Sequence, residues 1–223
     1  MAILGITNRT ENWKTAQHFA PLFGANSVRL ARRLLAHDDQ RTALRSGDVR
    51  LELFWCGMRD YMKRWPAQVR EQENQIASIY ESRFREVRQH VKESVEAGMF
   101  KKLTGDNYRA SNDGQKRRLR NNLRHTEIDI VLESPKHLFI GEAKHESDFD
   151  GNSNFILTHQ LIRQYVMARI LVELSGGKRE VVPFVVGDDS SVLNNSHQVQ
   201  FMIKHCGMRK ENVLTWSDIE ALW

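Results

Sequence analysis

Through its first sixty-odd residues the chain repeats apolar side chains at helical spacing. Thr10 can cap a segment carrying Trp13, Ala16, Phe19 and Ala20, and Ser27 one carrying Leu30, Leu34 and Leu35. From Val49, the residues Leu51, Phe54, Trp55, Met58, Tyr61, Met62 and Trp65 keep the helical period until Pro66 interrupts it. Residues 1–65 are therefore expected to form a helical extension ahead of a core domain over 66–223. After Pro66 one long helix is expected, with Val69, Ile76, Tyr80, Phe84, Val87, Val91 and Val95 on its stripe and its end near Gly98. Glu73 falls inside that stripe and Glu81 on its flank. A carboxylate on a buried face needs a partner or a metal.

Residues 99–124 carry little periodicity and are expected to form a loop or irregular hairpin. The pattern then shortens to period two. Residues 127–133 and 138–144, separated by Ser134, Pro135, Lys136 and His137, predict a β-hairpin. A loop over 148–154, a helix over 155–174 ended by Gly176 and Gly177, and a buried strand over 181–186 follow. Asp188 and Asp189 behind that strand read as loop and cap residues. Ser196 is expected to open a helix that stops at Gly207, and 213–216 a short strand. Ser217 and Glu220 match a capping box for the last turns.

Composition narrows the class. Of 223 residues, 40% are hydrophobic and 27% charged, with 13 Gly and 4 Pro, which excludes collagenous, low-complexity and wholly disordered chains. The longest nearly apolar stretch, 165–174, is broken by Arg169 and falls short of the roughly 20 residues that span a bilayer. With no basic lead-in before a short apolar run at residues 1–9, a cytoplasmic location without membrane contact is expected. The two cysteines, Cys56 and Cys206, are far apart and are expected to be buried thiols. A net charge of +5 tilts toward polyanionic partners. Lys116, Arg117, Arg118, Arg120 and Arg124 fall in a stretch without acidic residues, and they are the expected phosphate-gripping set.

The hairpin carries the chemistry. A four-residue turn over 134–137 sets Glu133 opposite Leu138, and counting inward sets Asp129 opposite Glu142 and Glu127 opposite Lys144. Alternation then puts Glu127, Asp129, Glu142 and Lys144 on one face and Ile128, Ile130, Phe139 and Ala143 on the other. Facing carboxylates repel unless a cation sits between them. Mg²⁺ or Mn²⁺ held by Asp129, Glu142 and the backbone carbonyl of Ala143 supplies that charge. Lys144, on the same side, is suited to polarising a water and to offsetting charge on a phosphoryl oxygen.

Glu127-Ile-Asp129, twelve intervening residues and Glu142-Ala-Lys144, followed by a helix and a buried strand, resemble the PD-(D/E)xK nuclease superfamily. The resemblance covers roughly residues 67–190. It implies an α/β fold with a restriction-endonuclease-like core, a mixed β-sheet flanked by helices, behind the N-terminal helical extension. It also implies that Asp129 and Glu142 bind metal and that Lys144 is the catalytic lysine. Asp129 follows Ile128 where the name of the superfamily has a proline. Members often add a glutamate from the helix before the sheet, for which Glu73 is the first choice and Glu81 the second. Gln160 and Gln164 share a helix face from which they reach a phosphate or the attacking water, and Arg163 is suited to backbone contact.

The expected function is thus a Mg²⁺- or Mn²⁺-dependent nuclease that hydrolyses phosphodiester bonds, of DNA first, with a metal-activated water. A non-catalytic nucleic-acid-binding or complex-forming module, and an RNA-cleaving nuclease, are the alternatives. The helical extension is expected to serve substrate selection or dimerisation, through a homodimer or a partner protein. Zinc is not expected, because the nine histidines show no HExxH spacing and no cysteine framework.

Overall fold

The structure is a computed structural model that describes residues 10–35, 44–65, 67–100, 109–145, 149, 157 and 159–223. Its centre is a five-stranded mixed sheet: β1 (Arg50–Trp55), β2 (Ile128–Glu133), β3 (His137–Lys144), β4 (Glu180–Gly187) and β5 (Val213–Thr215), in that spatial order. The first three strands run antiparallel to one another, while β3, β4 and β5 are parallel. Helices cover both faces, which makes the chain an α/β protein. Among the described residues no helix is long and apolar enough to cross a membrane.

One face packs under α4 (Val69–Arg83), α5 (Arg85–Glu96), α6 (Asp113–Arg124), α7 (Gln160–Leu174) and α9 (His197–His205). Leu138 and Ile140 of β3, Val131 of β2 and Val185 of β4 point into this core, with Ile162, Val166 and Ile170 of α7 above them. The other face packs under α1 (Thr10–Phe19), two 3-10 turns, α2 (Ser27–Leu34) and α10 (Trp216–Glu220). There Phe19, Leu22, Leu30 and Leu34 meet Ile130, Leu132, Phe139, Val182 and Phe184. Every residue of β3 is buried, as befits a central strand covered on both faces.

Several sequence expectations differ from the structure. The helical segment expected from Val49 is instead a strand followed by a short helix, α3 (Gly57–Arg64). Leu51 and Leu53 alternate with Arg50 and Glu52, a strand pattern that the later helical positions mask. β1 pairs with β2, so the sheet begins before the boundary drawn at residue 65, and α1 and α2 are the second cover of that same sheet. The long helix after Pro66 breaks at Phe84 into α4 and α5. Arg88 stabilises the break by donating to the Phe84 carbonyl and to both the carbonyl and the carboxylate of Glu81.

The basic stretch expected in a loop or hairpin is helix α6. Its start is a capping box in which Asn112 accepts from the Gln115 amide and Gln115 reaches back to the Asn112 amide. The final helix is capped by Thr215 with Asp218, two residues ahead of the expected Ser217 and Glu220. As expected, Ser196 opens α9 and Gly176 and Gly207 close helices, both in the left-handed region. The expected loop over 148–154, apart from Phe149, lies outside the described residues, as do residues 1–9, 101–108, 155 and 156. The helix expected to start at 155 is described from Gln160.

Candidate active site

The hairpin register follows the expectation. Glu133 pairs with Leu138 and the regular ladder continues to Ile130 opposite Gly141. The turn is closed by Ser134, whose amide donates to the His137 carbonyl at 2.9 Å and whose hydroxyl accepts from the His137 amide at 3.0 Å. One step beyond Ile130, Asp129 faces Glu142, but here the ladder gives way to a side chain. Asp129 Oδ2 accepts from the Ala143 amide at 3.0 Å. The two carboxyl groups are within hydrogen-bonding reach of each other.

Glu142 is 2% exposed, and its carboxylate is surrounded by donors from α7. Gln160 Nε2 donates to Oε1 and Gln164 Nε2 to Oε2, while Lys144 Nζ lies 3.1 Å from Oε1. Lys144 also donates to Gln160 Oε1 at 3.2 Å, and its ammonium sits 5.5 Å from the centre of the Phe149 ring. Helical spacing of i and i+4 brings Gln160 and Gln164 over one point of β3. Gln164 additionally donates to the Glu127 carbonyl at 2.9 Å, which ties the helix to the entry of β2.

Burial, and next the charge of Glu142, hold the Asp129 carboxyl well above the usual carboxylate range, against the opposing pull of the Ala143 amide and Lys144. Burial also raises Glu142, offset by Lys144 and Gln164. The donors from Gln160, Gln164 and Lys144 favour the ionised form of Glu142. The atoms that Asp129 and Glu142 would offer a hard divalent cation are carboxylate oxygens, the donor type such a cation takes. Asp129, Glu142 and the Ala143 carbonyl are the residues that would hold it.

Other expected site residues are distributed differently. Glu127 does not join the patch, and its Oε2 lies 3.7 Å from Cys56 Sγ. Ile128, expected with Ile130, belongs to the α7-side core instead. Glu73 is half-buried on α4 and is not gathered with Asp129 and Glu142. Among the described residues no group of three or more His, Cys, Asp or Glu side chains is arranged to hold a metal. The buried polar residue beside Glu73 is Gln72, which accepts from Arg120 Nε at 3.1 Å. Glu81 accepts from the Ala110 amide and from Arg88, an anchoring role for the segment after α5.

The basic set divides by helix face. Lys116 bonds to Asn74 at 3.0 Å and Arg120 to Gln72, so these two hold α6 on α4. Arg117, Arg118 and Arg124 are exposed. Arg163 Nη1 donates to the Leu157 carbonyl at 3.0 Å, an internal tie rather than a projecting cation. Asp189 caps α8 (Ser190–Asn195) through the Ser191 amide, and Asp188 lies 3.6 Å from His145 Nδ1. Both cysteines are buried, and burial pushes the Cys206 thiol up to about 12. A cleft of about 650 Å³ lies beside β1, α3 and the end of α7, lined by Arg50, Trp55, Tyr61 and Arg179 among others. Asp129, Glu142 and Lys144 are not in its wall.

Gln164, expected on the same face as Gln160, holds Glu142, whereas Phe149 under Lys144 was not foreseen, since a loop sequence carries no signal for it. His159, at the head of α7, lies against Phe100 with ring centres 4.1 Å apart and the planes tilted by 31°. Burial, with Arg163 adding to it, lowers its pKa from 6.5 to about 4. As pH falls from 6.5 to 4 the unfolded chain takes up a proton that the native state refuses, so stability declines across that window and is unaffected above it. The loss reaches roughly 3 kcal/mol. Urea unfolding at pH 4.5 and pH 7 checks this, with His159→Phe expected to remove that part of the slope.

No family model, curated protein or solved structure matches the chain.

Proposed function

We propose that the chain is a divalent-metal-dependent nuclease that hydrolyses phosphodiester bonds, of DNA in the first instance, on a core of the PD-(D/E)xK type. The observation that carries this reading is the meeting of Asp129, Glu142 and Lys144 at one point of the sheet, under two glutamines of α7. Two carboxyl groups drawn together in a largely buried setting are costly in a purely structural role, and an amine placed beside them suits chemistry on a phosphate.

Asp129, Glu142 and the Ala143 carbonyl would hold Mg²⁺ or Mn²⁺, which would supply Lewis acidity toward a phosphoryl group and a more acidic water. The remaining work falls to the chain itself. The Lys144 ammonium offsets negative charge that grows on a phosphoryl oxygen. Gln160, bonded to both Glu142 and Lys144, fixes the distance between carboxylate and amine. Gln164 holds the second oxygen of Glu142 and so fixes the plane of that carboxylate.

Outside the cluster, Arg117 and Arg124 lie seven residues apart on the outward side of α6, about 10 Å along its axis. That matches about three phosphates of one strand of B-form DNA. The C-terminal end of α6 leads directly into Asp129 through residues 125–128. Arg117, Arg118 and Arg124, exposed on α6, are the cations this reading assigns to the phosphate backbone.

The test is digestion of linear, circular and single-stranded DNA and of RNA with Mg²⁺ or Mn²⁺, paired with calorimetric titration of Mn²⁺ into the wild type and a Glu142→Ala variant. Cleavage that EDTA stops, together with metal binding that needs Glu142, is the expected result. Absence of both overturns the reading, and cleavage of RNA alone changes the substrate.

A further inference from the structure

We infer that Phe54 is a substrate-contacting residue that stacks on a nucleobase beside the phosphate to be cleaved, an inference that rests on the nuclease reading above. Phe54 has φ of 56°, and it is the one non-glycine residue with positive φ among those described. For a bulky side chain this backbone is a genuine outlier.

Part of the reason is structural. Leu51 and Leu53 pack into the core under α1 and α2, whereas Trp55, which alternation would send the same way, packs into the core under α7. The reversal falls at Phe54. It delivers the Trp55 ring over Gly57, where a Cβ would stand 2.2 Å from it, and opens α3. The bend therefore has a use, but a glycine or asparagine makes the same bend at lower cost.

The ring needs a separate explanation. Phe54 is half-buried, and alone among the apolar residues of β1 it joins neither core. Its position in the sheet supplies one. Leu53 pairs with Ile130 and Trp55 with Ile128, so Phe54 lies across from Asp129. A strained, half-exposed aromatic next to the acid that heads the catalytic cluster suits base stacking, which tolerates any sequence because every base has a π-face.

The experiment uses the full chain with Phe54→Gly, Phe54→Leu and Phe54→Trp variants. The substrates are a fluorescein-labelled DNA oligonucleotide and the same strand with abasic residues around the scissile phosphate. Kinetics are followed with Mg²⁺ and binding by anisotropy in EDTA. Phe54→Gly is expected to melt at a higher temperature than the wild type, because the strain is released, yet to raise KM and Kd for ordinary DNA about tenfold, the size of one lost stack. Its kcat should stay within about twofold, its handling of abasic DNA should match the wild type, and Phe54→Trp should restore KM.

Equal KM for wild type, Phe54→Gly and Phe54→Leu overturns the inference and leaves the nuclease reading standing. A fall in kcat with unchanged KM also overturns it, since the residue then acts only by positioning Asp129. If the wild type discriminates bases from abasic sites through Phe54 but cleaves nothing, the stacking role stands and the catalytic reading falls. If it neither binds nor cleaves, both fall.

Discussion

A Glu142→Ala protein is expected to fold and to bind nucleic acid, but to lose cleavage altogether. Glu142 is the hub of the cluster, holding Gln160, Gln164 and Lys144 at once while facing Asp129. Its removal takes away a metal-holding oxygen and the partner that orients the amine. The buried ammonium of Lys144 keeps Gln160 and the Phe149 ring as neighbours, so the fold is expected to tolerate the change. Asp129→Ala should behave in the same way. Lys144→Met, which preserves the aliphatic stem, should lower the turnover rate by on the order of 10²–10³, the scale of losing one preorganised charge at a reacting phosphate. Single-turnover cleavage and anisotropy binding on the three variants check this. Normal cleavage by a folded Glu142→Ala protein would remove the cluster from the mechanism.

The second large effect concerns stability. Gly141→Ala is expected to destabilise the protein by about 1–3 kcal/mol, or several degrees in melting temperature for a chain of this size. An added Cβ would lie 2.2–2.7 Å from three ring carbons of Phe184. Neither side yields cheaply. Gly141 lies between Ile130 of β2 and Phe184 of β4 in the central strand, and Phe184 is 1% exposed in the core under α1 and α2. A Phe184→Leu partner, smaller at the point of collision, should relieve the clash, so the double variant should be more stable than the sum of the two single losses. Thermal unfolding of all three variants measures the coupling, and simple additivity would mean that the ring is not what Gly141 accommodates. Because Gly141 precedes Glu142, cleavage should weaken along with stability.

Much of the candidate cluster was legible in the sequence because a hairpin is a local object. Period two, a four-residue turn and the count inward from Glu133 and Leu138 bring Asp129 and Glu142 together, and helical spacing adds Gln160. The register stops being informative where side chains replace the ladder. Glu127 was expected opposite Lys144, yet its carboxylate goes to Cys56. β1 was missed because the left-handed residue at Phe54 breaks its alternation just before a helix begins. α6 was missed because two buried leucines four residues apart, Leu119 and Leu123, make a thin stripe amid charge. The amphipathic faces of α1 and α2 signalled burial, but a periodic stripe carries no information about which surface it meets.

That surface has a consequence for how the chain comes to be folded. The apolar side of Phe19, Leu22, Leu30 and Leu34 leaves the ribosome long before most of what covers it, since apart from the nearby Leu44, Val49, Leu51 and Leu53 its counterparts lie on β2, β3 and β4 and on α10. β1 likewise emerges without the strand it will pair with. Nascent chains halted before residue 128 should therefore stay open to protease and to hydrophobic holdases, with cooperative resistance arriving late and slowly, as non-local topologies require.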